Sequence, residues 1–288
     1  MKTYWRVLST LTLAVFFAVT PSSAAIVDLT TSGACTPITA ANIASCSING
    51  AVFTQAFTQP TGSGVIDPFV REQDSGINTG MNTDAPANTV YDDVAGSFTH
   101  SIKVNQFGIV SLLGTDYVRF LLDINETSGG DNEFLVLDSL KIVTSLNTPN
   151  YTTIGAATAD AGADIYDLNP PNAGSGPNAV LLNYALNSGS GSGDMFMYVP
   201  ASLFVGTGNN YLYLYSQFGN VATTGQPPGY DASDGFEEWS KVNADGGGAG
   251  GGNPVPEPSQ LLSLLLVGIP VMIGYWRKNR AGSGSLTN

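Results

Sequence analysis

The chain has 288 residues, with 23 Asp and Glu against 10 Lys and Arg and a net charge of −13. The imbalance is concentrated between positions 25 and 256, where the cations are Arg71, Lys103, Arg119, Lys141 and Lys241 and every acid but Glu257 is found; a surface of that sign repels nucleic acid and anionic membranes, which excludes a phosphate-tracking function. The 34 Gly and 16 Pro exclude a helical bundle, because Gly opens positive φ and Pro removes a backbone donor.

The first 25 residues have the three parts of a secretory signal peptide: a basic start with Lys2 and Arg6, an apolar run from Val7 to Val19, and the small residues "PSSAA" for signal peptidase, with a cut after Ala24 or Ala25. Residues 26–243 are then expected to fold outside the cytoplasm. In an oxidising compartment Cys35 and Cys46, the only two cysteines, are expected to close a small loop, a bridge worth about 3 kcal/mol through loop-closure entropy.

Residues 58–90 are poor in large apolar side chains and read as surface excursions. In "SFTHSIKV" (97–104), Phe98, His100, Ile102 and Val104 share one face of a period-two pattern and predict a strand. "DYVRFLLDI" (116–124) and "EFLVLDSLKIVTS" (133–145) predict a strand pair joined by the polar loop "NETSGGDN". "AVLLNYAL" (179–186), "MFMYVP" (195–200) and "NYLYLYSQF" (210–218) predict further strands, the first two joined by "NSGSGSGD". A single short helical turn is expected at "PASLFVG" (200–206), ending on Gly206. Short strands punctuated by Gly-rich turns predict an all-β body, an antiparallel β-sandwich or jelly roll, followed by a Gly-rich linker and a single C-terminal transmembrane helix.

Candidate chemistry is sparse. His100, the one histidine, has no Ser or Cys nucleophile placed for it and reads as a hydrogen-bonded strand residue. Asp123, Asn125 and Asp131 supply hard oxygen donors around a Gly-Gly turn, a set suited to Ca²⁺ although without EF-hand spacing. Asp160, Asp164 and Asp167, and Asp231, Asp234, Glu237 and Glu238, are further acidic groups. Tyr211, Tyr213 and Tyr215 lie on one face of a strand, where they either pack or stack on sugar rings. No pair of acids stands out as a glycosidase pair, because the required separation is spatial.

The C-terminal region has its own order. "ADGGGAGGGN" makes residues 244–253 a flexible linker. Pro254, Pro256 and Pro258 keep the next residues extended. Residues 261–276 are apolar and, at 1.5 Å per residue, reach about 24 Å, a short membrane span. Arg277, Lys278 and Arg280 form a positive-inside stop, and residues 281–288 form a short cytoplasmic tail.

Val255, Pro256, Glu257, Pro258 and Ser259, the apolar span and the basic stop together resemble the PEP-CTERM sorting signal of Gram-negative bacteria, over residues 254–280. Pro270 inside the span and the eight residues after Arg280 depart from the usual pattern. The resemblance implies recognition by an exosortase, a membrane enzyme that cuts near the Pro-Glu-Pro element, and a place among proteins made alongside exopolysaccharide. It implies export through the inner membrane, a membrane-anchored precursor and a mature form at the cell surface or outside it. The expected function is therefore non-enzymatic: a surface-sorted component of an extracellular polysaccharide matrix, structural or adhesive, whose partners are signal peptidase, the exosortase and the polysaccharide, with no nucleic acid. The alternatives are a carbohydrate-binding module with a calcium-bearing loop and a secreted hydrolase.

Overall fold

A computed structural model describes residues 24–56, 67–86, 90–94, 96–127, 129–160, 163–171, 177–189, 191–233 and 235–242. Its strands, in chain order, are β1 (Ile26–Asp28), β2 (Ser47–Ile48), β3 (Ala51–Gln55), β4 (Asp67–Glu72), β5 (Ser75–Gly76), β6 (Asn78–Met81), β7 (Ile102–Lys103), β8 (Ile109–Leu112), β9 (Thr115–Asp123), β10 (Phe134–Ser145), β11 (Ala163–Asp167), β12 (Ala179–Asn183), β13 (Met195–Pro200), β14 (Tyr211–Phe218), β15 (Ala232–Ser233) and β16 (Glu237–Lys241). The protein is mostly β, as its composition predicts.

Two seven-stranded sheets make a sandwich-like body. The first runs β1-β12-β10-β14-β6, with β11 against β10 and β7 against β14; the second runs β2-β3-β13-β9-β16-β4, with β8 against β9. Pairing is antiparallel apart from β1 and β12, which are parallel. A two-stranded piece, β5 with β15, lies where the chain passes between sheets: β5 links β4 to β6, and β15 comes between β14 and β16. Alternation turns Phe120 and Leu122 of β9 and Trp239 of β16 inward from one sheet, and Ile142 of β10 with Leu212 and Leu214 of β14 inward from the other, all into one buried cluster. Each such side chain contributes about 1.5–3 kcal/mol by leaving water.

Several expectations are met. Strands β9, β10, β13 and β14 fall on the runs that predict them. A 3₁₀ turn covers Ala201–Phe204 and stops before Gly206, whose φ of +81° suits glycine. Cys35 and Cys46 form a disulfide with Cα atoms 5.8 Å apart, tying the first loop to β2.

Others are corrected. The runs 116–124 and 133–145 are not a hairpin: β9 and β10 lie in different sheets, because a long polar loop leaves pairing open and both strands reach more apolar surface by facing each other across the core. The same holds for β12 and β13. Within 97–104 only Ile102–Lys103 pairs as strand; Phe98 lies instead over the Arg71 guanidinium, 3.4 Å from its ring centroid, and the His100 N–H donates to Phe69 O at 3.1 Å. Residues 67–72 and 78–81 are not surface excursions, since β4 and β6 bury Phe69, Val70 and Met81. Two short helices also form, α1 (Ile154–Ala159) and α2 (Val221–Thr224), with Thr153 Oγ1 capping α1 and Asn220 Oδ1 capping α2.

The described body ends just after β16, with Val242 still buried. Among the described residues no helix is long and apolar enough to cross a membrane. The signal sequence up to Ser23, the linker 244–253, the motif 255–259, the span 261–276 and the basic stop lie outside the described residues.

Candidate functional site

The tyrosines of β14 belong to one packed cluster. Tyr213 is 1% exposed and packs with Met81, Val143 and Ala157, flanked by Tyr91 and Tyr151. Its ring lies 5.5 Å from that of Tyr151, the Tyr215 ring 5.1 Å from that of Tyr91, and Lys103 Nζ sits 5.0 Å above Tyr211. α1 and the chain before it cover this face of the first sheet, so the three rings form a second small core and not an open stacking strip. Burial pushes the Tyr213 hydroxyl up to about 12.

The calcium set is also rearranged. Asp123 is fully buried, its Oδ2 accepting from the Gly191 N–H at 2.6 Å. Asn125 Nδ2 donates to Phe236 O at 3.3 Å, and Asp131 falls in the 3₁₀ turn Gly130–Glu133. Among the described residues no group of three or more His, Cys, Asp and Glu is arranged to hold a metal ion. Asp123 is instead one of a row on the outer face of the second sheet: it pairs across the ladder with Glu238, and Glu238 with Arg71. The Arg71 guanidinium binds the Glu238 carboxylate between the rings of Phe98 and Phe236, the latter 4.5 Å away. Asp194 lies beside this row, its Oδ2 accepting from the Ile124 N–H at 2.8 Å. Burial and Glu238 push Asp123 up to about 7, against its Gly191 hydrogen bond and Arg71; burial raises Asp194 well above the carboxylate range. Asp194 also borders a small cavity with Gln55, Asn183 and Asn187, which has room for about one water.

The most unusual constellation is inside the sandwich, between the facing edges of the two sheets. On β16, Glu237 shares the inward face with Trp239, and it stands opposite Glu72 of β4. Trp239 Nε1 donates to Ser216 Oγ at 3.0 Å, and Ser216 Oγ donates to Glu72 Oε1. Asn78 Nδ2 donates to Glu237 Oε2, and the Ser233 N–H donates to Glu126 Oε2 at 2.8 Å. Glu72, Glu237, Asn78, Ser216 and Trp239 are all 0% exposed and Glu126 is 4% exposed. Four oxygens here, Glu72 Oε2, Asn78 Oδ1, Glu126 Oε1 and Glu237 Oε1, lack a donor when every carboxyl is ionised.

Such a set cannot stay ionised, because each buried charge without a cation costs several kcal/mol. Burial raises Glu72 and Glu237 well above the carboxylate range, and raises Glu126 less. A proton on Glu237 supplies the missing bond, with Glu237 donating to Glu126. Gly80 makes room for this: a Cβ there would meet Glu72 Cβ at 2.7 Å and its Oε2 at 2.9 Å. Chemically the group can hold and release protons. It cannot act on a polymer, because these carboxyls are sealed under both sheets, whereas glycoside hydrolysis needs two that reach the substrate.

Sequence reasoning includes Glu126 and Glu237 in acidic runs but passes over Glu72, Asp138 and Asp194. One signal was available: in "FEEWSKV" Glu237 has the parity of Trp239, so a buried tryptophan puts a carboxyl inside. Comparison of the chain with family models, with curated proteins and with solved structures found no match in any of the three.

Proposed function

We propose that this chain is an exported, surface-sorted, non-enzymatic protein, delivered by an exosortase-type membrane enzyme and serving as a structural or adhesive component of an extracellular polysaccharide matrix. One observation carries the reading. The motif Val255 to Ser259, the apolar span 261–276 and the cations Arg277, Lys278 and Arg280 follow, after a glycine-rich tether, a body whose last described residue is Val242. The body suits that route. Its two cysteines form a disulfide, which belongs to oxidising compartments. Its first strand starts at Ile26, and Ala25 is already tied in, donating to Asn178 Oδ1 at 2.8 Å and accepting from the Ala179 N–H at 3.1 Å. A signal-peptidase cut after Ala24 keeps both bonds, so Ala25 is the expected mature N-terminus.

The experiment compares the native chain with Pro256→Ala/Glu257→Ala/Pro258→Ala in a host carrying an active exosortase. The native body is expected at the cell surface or in the medium, and the substituted chain in the inner-membrane fraction. Equal release of both would refute recognition through the Pro-Glu-Pro element.

A further inference from the structure

The buried carboxyls lie where the two sheets are joined by β5 and β15. Glu126 holds β15 through the Ser233 N–H, and the Thr127 N–H donates to Ser233 Oγ at 2.8 Å. Glu237 joins β16 to β6 through Asn78. Glu72 joins β4 to β14 through Ser216. The three side chains therefore connect the facing edges of the two sheets and the small ladder between them. Close packing of backbone seals the place: a Cβ on Gly219 would strike Gly76 O, and one on Gly235 would strike Asn125 O.

We propose that Glu72, Glu126 and Glu237 form a proton-held latch, which keeps the β5–β15 junction closed while its carboxyls share protons and loosens it when they ionise. The groups that act on the latch from each packed element are polar or acidic. Glu72 faces Ser216 of β14, Asp138 of β10, and Asp92 and Asp93; Tyr215 of β14 also lies within its field. Glu237 faces Glu126, Glu72 and Asn78. Glu126 faces Ser233, Glu237 and Asp231. None of these is a cation, and Arg71, next to Glu72 in sequence, points to the outer face and binds Glu238. Losing a proton therefore adds negative charge to a buried neighbourhood whose charged neighbours are all acidic.

The sign follows from linkage. In the unfolded chain a glutamate releases its proton near pH 4.3. Above that pH the folded chain retains protons the unfolded chain has lost, so stability falls as pH rises until the folded carboxyls ionise too. For each carboxyl held protonated, the unfolding equilibrium constant rises about tenfold per pH unit within that window. The device therefore holds best at mildly acidic pH and weakens as pH rises.

The test uses the secreted body with its disulfide intact. Thermal unfolding is followed from pH 5 to pH 9, and backbone amide protection is measured for β5 and β15 against β10. The latch predicts a midpoint that falls with pH, and protection at Gly76 and Ser233 that drops at a lower pH than protection in β10. Glu126→Gln and Glu237→Gln should each flatten the slope; Glu126→Gln serves if Glu237→Gln fails to fold. A midpoint that is level or rising across the range, or β5–β15 protection that falls only with that of β10, would overturn the latch. So would a Ca²⁺-dependent rise in midpoint at pH 9 that Glu237→Gln abolishes, since the carboxyls would then hold a cation and not protons.

Discussion

Ser216 carries more than its size suggests. Its hydroxyl accepts from Trp239 Nε1 and donates to Glu72 Oε1, so one side chain satisfies a buried indole and a buried carboxyl. Ser216→Ala strips both, and each orphaned buried group costs about 1–3 kcal/mol; in a body of this size the melting midpoint should fall by about 5 °C or more. Arg71 is a similar case on the outer face. Arg71→Ala removes contacts to two aromatic rings and leaves Glu238, with 6% side-chain exposure, unpaired; breaking a buried pair this way costs about 3–5 kcal/mol, which a denaturant titration will read. Asp123 gives a pH prediction. Its folded value of about 7 lies above the unfolded value near 3.9, so it withdraws stability as pH rises between them. Asp123→Asn should thus leave stability near pH 4 little changed and raise it at pH 8 relative to the native chain. Equal pH profiles for the two proteins would show that Asp123 titrates alike in the folded and unfolded chains.

At the scale of elements, the strands legible in the sequence are the longer ones, whose inward residues are mostly apolar. β9 shows Val118, Phe120 and Leu122 at alternate positions, and β14 shows Leu212 and Leu214. Among the strands that escaped notice are β4 and β16, "DPFVRE" and "EEWSK", whose inward faces include glutamate, which a polar count assigns to water; β3, "AVFTQ", escaped for another reason, being too short to show a period. Pairing was less legible than position. The loop between β9 and β10 contains turn residues but carries no two-residue hairpin signal, and only the packed core shows that the strands lie in opposite sheets. The site was less legible still: the sequence marks an acidic loop at Asp123, while the inward carboxyls Glu72, Glu126 and Glu237 come from three separate places in the chain. Gly80 offers an element-level check. On β6 it backs directly onto Glu72, so Gly80→Ala must push Glu72 or the strand aside. That substitution should destabilise by about 1–3 kcal/mol, as overpacking does, while Gly208, with open space at its Cβ position, should tolerate Ala.

For the whole molecule, the proposed function divides the work between an acidic β body and a C-terminal address. The body holds together by a main apolar core between two sheets and by an early disulfide; Cys35→Ser/Cys46→Ser should lower the free energy of unfolding, read by denaturant titration, by an amount near the loop-closure value of about 3 kcal/mol. In the proposed function the address is residues 254–280, which place the body. The measurement that tests this division most directly is the intact mass of the protein recovered from the surface or medium of cells with an active exosortase. The account predicts a chain that begins at Ala25 and ends near the Pro-Glu-Pro element, without residues 261–280. A released chain that still carries Leu261 to Arg280 would contradict it.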